Sequence, residues 1–68
     1  MPVGTVKWFN KTKGYGFIVP DGGDKDVFVH VTEVEKAGMQ GLNEGQRIAF
    51  EVMDAERGLK AVGIQSAD

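Results

Sequence analysis

The chain has 68 residues, ten acidic and eight basic side chains, a net charge of −2 at pH 7 and no cysteine. A single domain spanning residues 1–68 is expected, and at this size it buries only about 60% of its unfolded surface, so its stability margin is thin. Disulfide frameworks and thiolate metal sites are excluded, no apolar run approaches the ~20 residues of a spanning helix, and the opening Met1-Pro2-Val3-Gly4 lacks signal-peptide character, so a soluble cytoplasmic protein is expected.

Ten glycines spread throughout, with apolar residues of β-branched and aromatic type, predict short strands between turns. A first strand over about 4–10 contains Val6-Lys7-Trp8-Phe9-Asn10. It alternates poorly because two large aromatics are adjacent, and a bend or bulge is expected there. Lys11-Thr12-Lys13-Gly14 is a turn. A second strand over 15–20 places Tyr15 and Phe17 on one face and Ile18 on the other. Pro20-Asp21-Gly22-Gly23 turns the chain again. A third strand over 26–31 separates Val27 and Val29 from Phe28 and His30. Val31 to Gly41 reads as a long irregular connection with one helical turn near Thr32–Lys36. After Asn43-Glu44-Gly45, a fourth strand over 46–53 alternates Ile48, Phe50 and Val52 with Arg47, Ala49 and Glu51. Glu56-Arg57-Gly58 turns into a fifth strand over 60–66, with Val62 and Ile64 inward. Five short strands and one long connection suit a small closed all-β barrel, which removes exposed strand edges.

A barrel of this size cannot bury both faces of the second and third strands. With Ile18, Val27 and Val29 inside, Tyr15, Phe17, Phe28 and His30 lie outside together, an aggregation liability unless they bind something. Gly14 and Gly16 add no side chain over this face, so a flat ligand could approach the backbone closely. The overall negative charge looks wrong for a polyanionic partner. Residues 1–20, however, carry Lys7, Lys11 and Lys13 with no acid, a charge of +3, against −5 for the rest, and distant acids are largely screened. Aromatic planes with flanking cations match single-stranded nucleic acid, where each stacked base contributes ~1–3 kcal/mol. Phe9 and Phe50 read instead as core. An aromatic groove also suits a proline-rich or extended peptide, but a peptide has no need of the lysines.

Catalysis has little to work with. His30 is the only histidine and Ser66 the only serine, and no nucleophile–base pair stands at a workable spacing; an enzyme is not expected. Asp21, Asp24 and Asp26 miss the calcium-loop pattern, so no metal is assigned. Asp26 is either an acceptor for a base amino group beside the aromatic face or a turn cap. Glu33, Glu35 and Lys36 read as a solvated face. No glycine-rich phosphate loop is present.

Gly4-Thr5-Val6-Lys7-Trp8-Phe9-Asn10, Lys13-Gly14-Tyr15-Gly16-Phe17-Ile18 and Asp26-Val27-Phe28-Val29-His30 resemble the signature of the bacterial cold-shock protein family. Leu42-Asn43-Glu44-Gly45-Gln46 resembles that family's usual entry to the fourth strand, so the similarity covers nearly the whole chain. The resemblance implies a five-stranded antiparallel oligonucleotide-binding (OB-fold) barrel, with the two central motifs as adjacent ribonucleoprotein-type strands. By matching position it implies a binding surface of Lys7, Trp8, Lys13, Tyr15, Phe17, Asp26, Phe28 and His30, with Arg57 as a basic loop residue. Met39 and Val31 stand where the family often has further aromatics. Met39 keeps an apolar or sulfur contact with a ligand; Val31 can only pack. Gly58-Leu59-Lys60 lacks a proline often found there. The implied partners are single-stranded RNA and DNA, bound by a monomer with low sequence specificity and a preference for pyrimidine-rich stretches. No cofactor and no membrane are implied. The implied role is that of an RNA chaperone or a transcription or translation modulator under stress.

Overall fold

The computed structural model describes residues 2–23, 25–56 and 58–67. Its strands are β1 (Val3–Asn10), β2 (Tyr15–Pro20), β3 (Val27–His30), β4 (Arg47–Ala55) and β5 (Gly58–Ser66), with one short helix, α1 (Val31–Lys36), between β3 and β4. The strands form a closed barrel in the order β1-β2-β3-β5-β4. This is the all-β, OB-fold arrangement expected from the sequence. Neighbouring strands run antiparallel except where β3 meets β5, which pair in parallel through Phe28 and Lys60.

Alternation fills the barrel interior. Val6, Ile18, Val27, Val29, Ile48, Phe50, Ala61 and Ile64 are buried, and Val34 of α1 and Leu42 of the following loop join the same cluster. Phe50 is fully buried, as expected; Phe9 is partly buried and packs against the core.

Two alternation expectations fail for identifiable reasons. Val52 is 41% exposed rather than inward. Among the described residues β1 pairs with β4 only at Arg47, Ile48 and Ala49, so β4 beyond Phe50 pairs with no described strand on that side. In β5 the inward residues are Ala61 and Ile64, while Val62 is only half-buried. Ala49 lies opposite Gln65 but Glu51 lies opposite Val62, so β5 carries an extra residue there. Gly63, at φ 57°, adopts the left-handed conformation that such a bulge uses, and the two-residue period slips across it.

The helical turn begins one residue earlier than expected, directly after β3. His30 caps it: its backbone is extended, and its Nδ1 accepts the Thr32 backbone N–H at 3.2 Å. A side-chain acceptor on the second helical N–H satisfies one of the otherwise unpaired donors of the first turn. Glu33 in that turn suits the helix dipole, and Lys36 reaches it at 3.4 Å. Gly38, at φ 80°, ends the helix.

At the opposite side, Arg47 ties three segments together. Its Nη1 donates to Thr5 Oγ1 at 3.0 Å and to Asp21 Oδ1 at 2.8 Å, and its Nη2 donates to Asp21 Oδ2. This bidentate fork holds the Asp21 carboxyl below its ordinary pKa, chiefly by hydrogen bonding. Among the described residues no helix is long and apolar enough to cross a membrane.

Candidate nucleic-acid interface

The site begins with a slip in β1. Val6 lies opposite Ile18 and Trp8 opposite Phe17, so Lys7 is an extra residue without a partner across the pair. That bulge resolves the adjacent aromatics: Trp8 turns outward beside Phe17, while Phe9 turns toward the core opposite Gly16. Gly16 is therefore required by packing, and the expected role of leaving the binding face open is wrong for it. A Cβ on Gly16 would meet the Trp8 carbonyl oxygen and stand 2.7 Å from Phe9 Cα and 2.8 Å from its ring. Gly14 is likewise buried, at φ 85°, in the turn that closes on Asn10.

Register then builds a row across four strands: Trp8 opposite Phe17, Phe17 opposite Phe28, and Phe28 opposite Lys60. Tyr15 lies opposite His30 in the neighbouring row. The rings form one continuous cluster. Trp8 is 5.3 Å from Phe17 and 5.6 Å from Tyr15, Tyr15 is 5.7 Å from Phe28 in a near-parallel arrangement, and Phe28 is 5.8 Å from Phe17 and 6.3 Å from His30. All five are half-buried. Each ring packs against its neighbours in the cluster and leaves part of its surface exposed to solvent.

The β4–β5 hairpin rises beside this face. Between them runs an open groove of about 700 Å³, lined by Tyr15, Phe17, Phe28 and His30 from the aromatic face and by Ala55, Glu56, Leu59 and Lys60 from the hairpin. Lys25, Asp26 and Asp54 line its continuation beside Phe17 and Phe28. Asp26 is exposed and receives Lys7 Nζ at 3.0 Å; it is an acceptor at the edge of the face rather than a buried turn cap. Lys13 is exposed in the β1–β2 turn, anchored through its backbone N–H to Asn10 Oδ1.

Met39 stands apart from the ring cluster. With Phe9, Lys11, Leu42 and Gln46 it lines a second open groove of about 900 Å³, and it packs partly against the core. Arg57 lies outside the described residues. Leu59 and Lys60 were not identified from the sequence, because only the parallel pairing of β3 with β5 brings them to Phe28. Among the described residues, no three His, Cys, Asp or Glu side chains come together as a metal site.

The family model of the 'Cold-shock' DNA-binding domain matches residues 3–67. "Probable cold shock protein A" of Mycolicibacterium smegmatis and its counterpart in Mycobacterium tuberculosis are each 50% identical over 66 residues, covering 97% of this chain and 98% of theirs. "Cold shock protein CspA" of Rhizobium meliloti is 58% identical over 53 residues, covering 78% of this chain and 77% of its own. The chain therefore belongs to the cold-shock domain family, a family of nucleic-acid-binding proteins.

Proposed function

We propose that this protein binds single-stranded RNA and DNA with low sequence specificity, stacking unpaired bases on Trp8, Tyr15, Phe17, Phe28 and His30. The observation that carries this reading is the unbroken aromatic row across β1, β2 and β3 on the outer surface of the barrel. Lys7 and Lys13 contact phosphates beside it. Asp26 accepts a base amino group at its edge. Met39, in the second groove, extends the apolar path, and Arg57 joins the surface on the family's pattern. The mechanism is passive. A duplex hides its π-faces and opening it costs ~1.4 kcal/mol per base-pair step, so the protein captures strands that are already unpaired and keeps them so. A monomer of this kind, working in the cytoplasm without catalysis, serves as an RNA chaperone or a modulator of transcription or translation under stress.

The test is a Trp8 fluorescence titration with single-stranded RNA, single-stranded DNA and duplex at two salt concentrations. Quenching by both single strands, stronger at low salt and weak for duplex, is expected. Duplex quenching as tightly as single strand would defeat the reading. Binding of a proline-rich peptide without salt dependence would replace it with peptide recognition.

A further inference from the structure

We infer that Thr32 is a positioning residue for the nucleic-acid face. From the start of α1 it fixes the ring plane and the tautomer of His30, so that a bound strand meets an imidazole already held in place with Nε2–H as its donor. The inference rests on the base-stacking reading above and adds to it the means by which one stacking ring is preorganised.

His30 is the last residue of β3 and Thr32 the second of α1, so the passage from strand to helix brings the two side chains together. The Thr32 backbone N–H donates to His30 Nδ1 at 3.2 Å, and Thr32 Oγ1 lies 3.0 Å from the same nitrogen. A backbone N–H can only donate, so Nδ1 carries no proton and accepts a hydrogen bond from the Thr32 hydroxyl as well. The ring proton therefore sits on Nε2. Two contacts from one residue hold a single edge of the imidazole, which selects one of the two orientations that a histidine ring can take about χ2.

This clamp bears on the site because the rest of the ring is in it. His30 lies opposite Tyr15 in the β2–β3 pair, stands 6.3 Å from Phe28 with the ring planes 42° apart, and lines the groove with both. Thr32 is exposed on α1 and acts on the strand through His30. A ring free to turn over would lose that freedom on binding and would present either nitrogen to the ligand. A ring already held loses little, and the saving appears as affinity.

The test combines nitrogen–proton correlation spectra of the His30 ring, recorded well above the ordinary histidine range, with Trp8 quenching by a single-stranded DNA of mixed sequence. The unaltered protein is expected to show the Nε2–H tautomer. Thr32→Val keeps the backbone donor and the shape of the side chain but lacks the hydroxyl. It should weaken binding by about two- to ten-fold, the range for ordering one side chain, with the salt slope unchanged because no charge is altered. Thr32→Ser, which restores the hydroxyl, should bind as the unaltered protein does. In a His30→Phe background, which keeps a stacking plane but gives the hydroxyl nothing to hold, Thr32→Val should have no further effect. A predominant Nδ1–H tautomer would overturn the inference alone, as would unchanged affinity in Thr32→Val. An equal loss in the His30→Phe background would also overturn it, since Thr32 would then act only through the stability of α1. No salt-sensitive binding by the unaltered protein would overturn the stacking reading and this inference together.

Discussion

Trp8 of β1 lies directly opposite Phe17 of β2, ring centroids 5.3 Å apart, because Lys7 drops out of the pairing between them. Without that extra residue the two-residue period would turn Trp8 inward and Phe9 outward. A single bulge thus sets which aromatic stacks and which one packs, and it leaves a lysine at the margin of the aromatic face.

Phe17 and Phe28 occupy the centre of the row. Phe17→Ala or Phe28→Ala is expected to weaken single-strand binding by ~1–3 kcal/mol, the value of one stacked base. Because no charge changes, the slope of log affinity against log salt should stay the same. Titrations at several salt concentrations check both. Phe28→Ala unfolding the protein, with Phe50→Ala folding normally and losing binding, would show the faces to be reversed.

The lysines should behave in the opposite way. Lys13→Ala is expected to flatten the salt slope by ~0.7, the single-strand value for one phosphate neutralised, and to weaken binding less at high salt. Lys7→Ala should flatten it by less, since Lys7 starts partly neutralised by Asp26 at 3.0 Å. Salt-slope measurements on the two variants test the ranking; unchanged slopes in both would remove the phosphate-contact half of the mechanism.

What was legible in the sequence was the part governed by local period and turn chemistry. Val27-Phe28-Val29-His30 alternates without interruption, and β3 divides its faces as expected. The crowded Trp8-Phe9 pair signalled a bulge, which the register shift provides. What could not be read depends on long-range pairing. Gly63 gives no sign in sequence that it would absorb a bulge and turn Val62 away from the core. Neither does Val52 reveal that β1 stops short of it. Lys60 enters the site only because β5 closes the ring against β3, and no local pattern encodes that neighbour.

Gly16 separates the packing role from the ligand-approach role. Gly16→Ala places a methyl against the Trp8 carbonyl and the Phe9 backbone, and neither can move without disturbing the β1–β2 pairing. A loss of about 1–3 kcal/mol of stability is expected, as for other overpacked sites, read as a lower urea midpoint in the absence of nucleic acid. Full stability with impaired binding alone would restore the ligand-approach role.

Phe50 supplies the core control. It is fully buried at the centre of the barrel, so Phe50→Ala should cost ~3–5 kcal/mol through lost contacts and the cavity left behind. In a barrel this small that is a large share of the total. Chemical denaturation without ligand measures it, and saturating oligonucleotide should recover part of the loss, since a ligand at ~100 times its dissociation constant adds about 2.7 kcal/mol. A cost under ~1 kcal/mol would place Phe50 outside the load-carrying core.

Asp21 gives the acid dependence a definite sign. The Arg47 guanidinium holds its carboxyl below the ordinary range in the folded chain, so the unfolded chain takes up the proton first as pH falls. The stabilisation from the Asp21–Arg47 fork is therefore complete above the ordinary carboxylate value of ~3.9 and is lost as pH drops through it toward the lower folded value. Both side chains are accessible to solvent, so the contribution is modest and salt-sensitive. Asp21→Asn should lower the urea midpoint at about pH 6, and the gap between the unaltered protein and the variant should narrow as pH falls below the ordinary carboxylate value. Subtracting the two titrations cancels the other carboxylates, which are common to both proteins. A gap that stayed constant, or widened on acidification, would show that the Asp21 charge does not stabilise the fold through Arg47.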